Sequence, residues 1–168
     1  TCALPISGIG IKASWEEFFS DERDRFIQMP RIHHKSFHFI YTGINNVELV
    51  AGGHHYVQWA GKSPEYGDLP ASLNDYIKVI TGGSLAGGGG FVGEQEVNGL
   101  GNHLGGYEVQ LNTSFSHFDI SLIYNTIFED FSGIKLRNTP DGRYGIYISD
   151  QEPEKWVQAF MYEYYFTR

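Results

Sequence analysis

The sequence predicts an all-β fold: an antiparallel meander forming part of a transmembrane outer-membrane β-barrel, with one short helix in a long loop. Three observations carry that expectation. In the run from His117 to Glu129, one parity holds Phe118, Ile120, Leu122, Tyr124 and Phe128. The other holds His117, Asp119, Ser121, Asn125 and Glu129, with Ile123 and Ile127 as exceptions. Just before it, Tyr107, Val109, Leu111 and Phe115 alternate with Glu108, Gln110, Asn112 and Ser114. Period-two alternation marks strands with one apolar and one polar face. Soluble strands usually run ~5–6 residues, whereas strands crossing a bilayer at a tilt need ~9–11. Second, no apolar run reaches the ~18 residues of a membrane helix. Aromatic residues nevertheless make up 15% of the 168, at a mean hydropathy of -0.30. A barrel escapes the hydropathy test because lipid-facing and lumen-facing residues average out. Third, short and long connections alternate along the chain.

The first strand runs from about Gly8 to Phe19, with Ile9, Ile11, Ala13 and Trp15 opposite Lys12, Ser14 and Glu16. A charged loop, Asp21-Glu22-Arg23-Asp24-Arg25, follows. The second strand begins after Pro30, setting Phe37, Phe39 and Tyr41 against His34, Ser36 and His38. Asn45-Asn46 makes a tight turn, since Asn tolerates positive φ and bonds its own backbone. The third strand places Val47, Leu49, Ala51, Val57 and Trp59 on one face and Glu48, His54 and Gln58 on the other. Gly52-Gly53 within it signals a bulge or a close backbone approach.

Between Gly61 and Asn102 the alternation stops. Ser72 caps a short helix with Leu73, Tyr76, Ile77 and Ile80 at helical spacing, and residues 82–90, six of the nine glycine, read as a flexible loop. The two strands described first then follow, joined near Ser116. Ile134–Arg137 and Tyr144–Ile148 read as a hairpin around Pro140-Asp141-Gly142, where Pro presets φ and Gly supplies the left-handed position. A last strand spans about Trp156 to Thr167. Roughly eight strands result. The turns at Asn45, Ser116 and Asp141 fall at one end of this meander, and the charged loop and the helix-bearing insertion at the other. Membrane barrels have that asymmetry. The link at Glu129–Gly133 is shorter than the rule prefers. Because unpaired edges are intolerable in a bilayer, the expected barrel needs further strands.

Thr1-Cys2-Ala3-Leu4-Pro5-Ile6 is what a common sequencing-adapter oligonucleotide encodes in frame, so residues 1–7 are suspected to be non-native, with an ordinary turn before a strand as the alternative. The expected domain is then residues 8–168, a partial barrel truncated at both ends. Cys2 is the single cysteine, so disulfide and thiol chemistry go with it. A net charge of -8 argues against a nucleic-acid partner, which asks for a basic stripe.

Candidate chemistries are thin. His33, His34, His38, His54, His55, His103 and His117 show no metal-ligand spacing, and adjacent histidines on a strand face opposite ways. They read as polar barrel lining or surface, with no metal or other cofactor expected. Glu129 and Asp130 invite a glycoside-hydrolase reading, but sequence neighbours on a strand diverge, whereas hydrolysis needs two carboxyls across a cleft. Glu65 is left to oppose one of them. Gly61-Lys62-Ser63 lacks the upstream glycine and following helix of a phosphate loop. Gly99-Leu100-Gly101 lacks the third glycine of a dinucleotide fingerprint. Trp15, Tyr41, Tyr56 and Trp59 lie towards strand ends, as an interfacial girdle requires; stacking on sugar rings is the other reading.

The chain resembles the Wzi-type capsule assembly proteins of Gram-negative bacteria, in their Bacteroidetes form. The residues carrying the resemblance are 30–35 (PRIHHK), 55–59 (HYVQW), 63–67 (SPEYG), 101–105 (GNHLG), 127–133 (IFEDFSG), 140–142 (PDG) and Gly145. Each motif is weak alone; the ordered set spans about residues 8–165. The resemblance implies a large barrel in the Gram-negative outer membrane that attaches or organises capsular or other surface polysaccharide without catalysis. Its expected partners are that polysaccharide and outer-membrane lipid. The chain departs from the family in covering only part of such a barrel. Arg31, Lys35, Gln58, Trp59, Tyr66, Glu129 and Arg137 are the polysaccharide-contact candidates; of these, Arg31, Lys35, Gln58 and Arg137 are the groups suited to meet an acidic glycan. Two rivals stand beside this expectation: a β-sheet glycan hydrolase, and a soluble carbohydrate-binding sandwich whose apolar parity faces an inner core.

Overall fold

A computed structural model describes residues 2–6, 8–21, 26–83, 91–92, 95–96, 100–129, 131–152 and 156–168. Its strands are β1 (Cys2–Ile6), β2 (Ile9–Phe19), β3 (Arg31–Ile44), β4 (Val47–Trp59), β5 (Lys62–Ser63), β6 (Gly67–Asp68), β7 (Phe91–Val92), β8 (Gln95–Glu96), β9 (Asn102–Phe115), β10 (Phe118–Asn125), β11 (Gly142–Asp150) and β12 (Ala159–Phe166). Two helical segments, α1 (Leu73–Thr81) and α2 (Phe131–Ile134), sit in the connections. One eight-stranded sheet runs in the order β1-β2-β3-β4-β9-β10-β11-β12, every described pairing antiparallel. The sheet is open: β1 and β12 are its edges. The all-β, antiparallel expectation holds.

Cross-strand registers sort the side chains onto two faces, because paired residues point the same way. One face carries Ile9, Ile11 and Ala13, then Tyr41, Phe39 and Phe37, then Leu49, Ala51 and Gly53, in register across β2, β3 and β4. It continues through Leu111, Val109 and Tyr107 to Leu122 and Tyr124, then Ile146 and Tyr144, and ends at Tyr162 and Tyr164. The other face carries Lys12, Ser14 and Glu16, His38, Ser36 and His34, Gln110 and Glu108, Ser121, Arg143 and Glu163, with Ile40, Val50 and Ile123 among its apolar exceptions. Along β9, Tyr107 to Phe115 covers roughly 26 Å at ~3.3 Å per residue, the height of a membrane barrel's apolar belt (~25 Å).

Gly52 and Gly53 keep β4 in unbroken register with β3 and β9, so the double glycine marks close approach. A Cβ on Gly52 would lie 2.2 Å from the Phe37 carbonyl oxygen, and one on Gly53 2.6 Å from that of Gly106. The irregularity in this strand pair falls elsewhere, between Tyr41 and Ile44.

Two expectations fail. Residues 134–137 form no strand: Leu136 has φ 56°, and 135–140 are turns. β11 pairs instead with β10, Arg143 opposite Asn125. The eighth strand is supplied by residues 2–6, which pair with β2. The chain leaves β10 at Asn125 yet stays on β9, through Thr126 N–H to Tyr107 O and the mutual bonds of Phe128 with Gly105. That prolonged contact explains why alternation in the sequence outlasts the strand. The end containing Asp141 therefore belongs to the long connections, residues 20–30, 60–101 and 126–141; the opposite end has the turns at Asn45–Asn46 and Ser116–His117 and the 151–158 link.

Candidate functional site

The long-connection end of the apolar face is covered by α1. Ser72 caps it: its Oγ accepts from Asp75 N–H, and the Asp75 carboxylate accepts from Ser72 N–H. The Ser72 hydroxyl also donates to that carboxylate at 2.6 Å, and this bond, ahead of the backbone one, holds the Asp75 carboxyl below its ordinary range. Gly82, left-handed at φ 71°, closes the other end and donates to Lys78 O and Val79 O. The expected stripe is rotated. Val79 is fully buried with Val57, Trp59 and Ala60, and Tyr76 packs against them, while Leu73 and Ile77 are exposed. Polar anchors set this rotation. Tyr76 Oη donates to Glu17 Oε1, and Lys35 Nζ donates to Ile80 O near the helix C-terminus, where a cation is favoured. Burial, then the Glu17 carboxylate, pushes the Tyr76 phenol up.

Beneath the helix lies a cluster that the residue pattern conceals. His33 is fully buried, its Nδ1 2.7 Å from Glu17 Oε1, with the Trp15 ring 4.5 Å away edge-on. His55 and His103 are also buried and share a 2.9 Å Nε2···Nδ1 hydrogen bond, so one ring donates and the other accepts. The expectation that these three line the lumen or surface fails: they share the apolar face, sealed by α1 and Phe128. His34, His38 and His54 do lie on the polar face, His34 stacked on Tyr56 at 4.0 Å and bonded to Glu16. Among the described residues no group of three His, Cys, Asp or Glu side chains is arranged to hold a metal ion.

Beside α1 the apolar face is hollowed into a groove of about 940 Å³. Trp15, Phe37, Tyr107, Phe128 and Ile134 wall it, with Thr81 and Gly82 at the helix end and Lys35 and His55 on its floor. Glycine lets the Phe128 wall lie against the sheet: a Cβ on Gly105 would meet the Phe128 ring at 2.3 Å. Gly52 and Gly53 on β4 pair with Glu108 and Tyr107, and Gly105 and Gly106 on β9 pair with His55 and His54, so the two glycine pairs are offset by two residues; they were the available sequence signal for the groove.

The contact candidates lie towards the long-connection end but do not converge. Arg31 and Trp59 are paired across β3 and β4 on the apolar face, the guanidinium 5.2 Å over the indole. Trp59 is only 5% exposed, and its Nε1 has no hydrogen-bond partner among the described residues. Lys35 is on that face too, so neither cation lies on the polar face as a lumen position requires. Gln58 occupies the polar face, Tyr66 the turn between β5 and β6, and Glu129 and Arg137 are exposed on the 126–141 connection. Partial burial and the neighbouring Glu65 carboxylate raise the Tyr66 phenol. Glu65 is exposed in the same turn, and Asp130 lies outside the described residues.

Two of the four expected girdle residues do not fit. Tyr56 points to the polar face and Trp59 is buried, whereas Trp15 and Tyr41 are exposed on the apolar face. The aromatic row there is Tyr124, Tyr144 and Tyr164, directly paired, with ring centroids 4.8 and 6.4 Å apart. Tyr124 and Tyr144 hydroxyls donate to Asp141 O and Pro140 O, polar tips towards the long connections.

No protein-family model, no curated protein and no solved structure matches the chain. The likeness to Wzi-type proteins therefore rests on the ordered motifs alone.

Proposed function

We propose that this chain is part of a closed outer-membrane β-barrel that attaches or organises surface polysaccharide and performs no catalytic step. One observation carries the membrane half: exposure is inverted. On strands interior to the sheet, Phe37 is 55% exposed, Leu122 46% and Val109 45%, while His38, Gln110, Asn112 and Ser121 on the other face are only partly exposed. Water-soluble proteins rarely leave so wide a contiguous apolar surface uncovered. No second sheet covers it among the described residues, which counts against the sandwich. Hydrocarbon is the solvent that suits this face. Further strands closing the sheet between its β2 side and β12 would satisfy the edges, as a bilayer demands.

The polysaccharide half rests on the motif resemblance, with Arg31, Gln58, Tyr66, Glu129 and Arg137 near the long connections as candidate contacts. Fractionation tests the first half: the protein is expected in the outer-membrane fraction after alkaline washing, and recovery as soluble periplasmic protein overturns it. Deleting the gene in an encapsulated host tests the second. Surface polysaccharide is expected to be shed into the medium, and unchanged cell-bound polysaccharide contradicts the assignment. Release of reducing ends from polysaccharide by the purified protein would favour the hydrolase instead.

A further inference from the structure

We infer that the groove beside α1 holds the acyl chain of a phosphate-bearing membrane lipid, with the phosphate near Lys35; this rests on the membrane reading above. The groove opens downwards into the apolar band: Phe37 and Ala13, which line it, are followed on the same face by Phe39 and Ile11. Its upper level is the cross-strand row Trp15, Lys35 and His55. A lipid lying along the face thus meets hydrocarbon-like walls first and a cation at headgroup height.

Charge agrees. Lys35 is among the lining residues, and no carboxylate is. Its ammonium has three donors, and one of them goes to Ile80 O. The size also agrees, since pockets for small organic ligands run ~300–1,000 Å³. A sugar suits the site poorly. Walls of Trp15, Phe37, Tyr107, Phe128 and Ile134 offer few partners for its hydroxyls, and each hydroxyl buried without one is costly. Gly52 and Gly53 of β4 and Gly106 of β9 are among the lining residues and add no side chain to the groove.

The test uses the protein reconstituted in vesicles of phosphatidylethanolamine and phosphatidylglycerol, then extracted into mild detergent for native mass spectrometry. Flotation of the vesicles after alkaline washing is scored separately. Wild type is expected to retain one phospholipid per chain. Ile134→Trp, which fills the groove from a connection, should lose at least nine-tenths of it with flotation unchanged. Lys35→Gln should retain lipid several-fold less, and phosphatidylglycerol preferentially less. A lipid-free wild type that floats, or equal retention in wild type and Ile134→Trp, overturns the inference and leaves the barrel standing. Failure of wild type to float overturns both.

Discussion

The two ends of the apolar face obey opposite rules. Towards the short turns, Phe39, Leu111 and Leu122 are left exposed, and the face is apolar in register but for Thr113 and, at its margin, Asp150. Towards the long connections, the same face turns polar with Glu17, His33, Lys35, His55 and His103, and there a helix covers it. A protein folding in water alone would cover the apolar end and leave the polar end wet. The proposed barrel accounts for the inversion with two solvents, hydrocarbon at one end and water above, with α1 and Phe128 sealing what lies beyond the hydrocarbon.

The comparison breaks most readily at the exposed end. Leu122→Arg is expected to destabilise the vesicle-inserted protein by about 2–4 kcal/mol, the cost of Arg near a bilayer midplane; Ser121→Arg, on the polar face, should be close to neutral. Urea titration of folding into vesicles measures both, and equal costs would erase the difference between the faces. Next in size, Gly52→Ala drives a Cβ against the Phe37 carbonyl and should cost about 1–3 kcal/mol, read from the same titration.

The covered end gives smaller effects. Tyr76→Phe removes the bond to Glu17 and should loosen α1 by about 0.5–1.5 kcal/mol. Faster tryptic cleavage after Lys78, with barrel insertion unchanged, is the expected reading. Ser72→Ala removes the cap for about 1 kcal/mol, seen as faster amide exchange confined to 73–81. The Asp75 partner fixes the sign with pH. Its folded carboxyl is lowered, so its contribution is full above the ordinary carboxylate range and fades as pH falls through the lowered value. In Ser72→Ala the acid-side increase in exchange should shrink.

Much of the sheet was legible because each long strand keeps one face apolar. β2, β3 and β4 stand where period two put them, and Ser72 starts α1 as capping chemistry requires, whereas Gly82, read as loop, closes it. The missed hairpin shows the limit of turn residues. Pro140-Asp141-Gly142 does precede a strand, but β11 joins β10 across a long connection, a pairing that no local signal encodes. The buried histidines were hidden for another reason. Parity assigns His33, His55 and His103 to a face, but only the docking of α1 through Tyr76 and Lys35 decides which end of that face is closed.

Spin labels at successive positions 118–124, on a Cys2→Ser background reconstituted in vesicles, test the central claim most directly. Collision with oxygen should peak at 118, 120, 122 and 124, and collision with a water-soluble nickel chelate at 119, 121 and 123. Chelate access at 120 and 122, or low access to both reagents there, would show water or packed protein against that face instead of lipid.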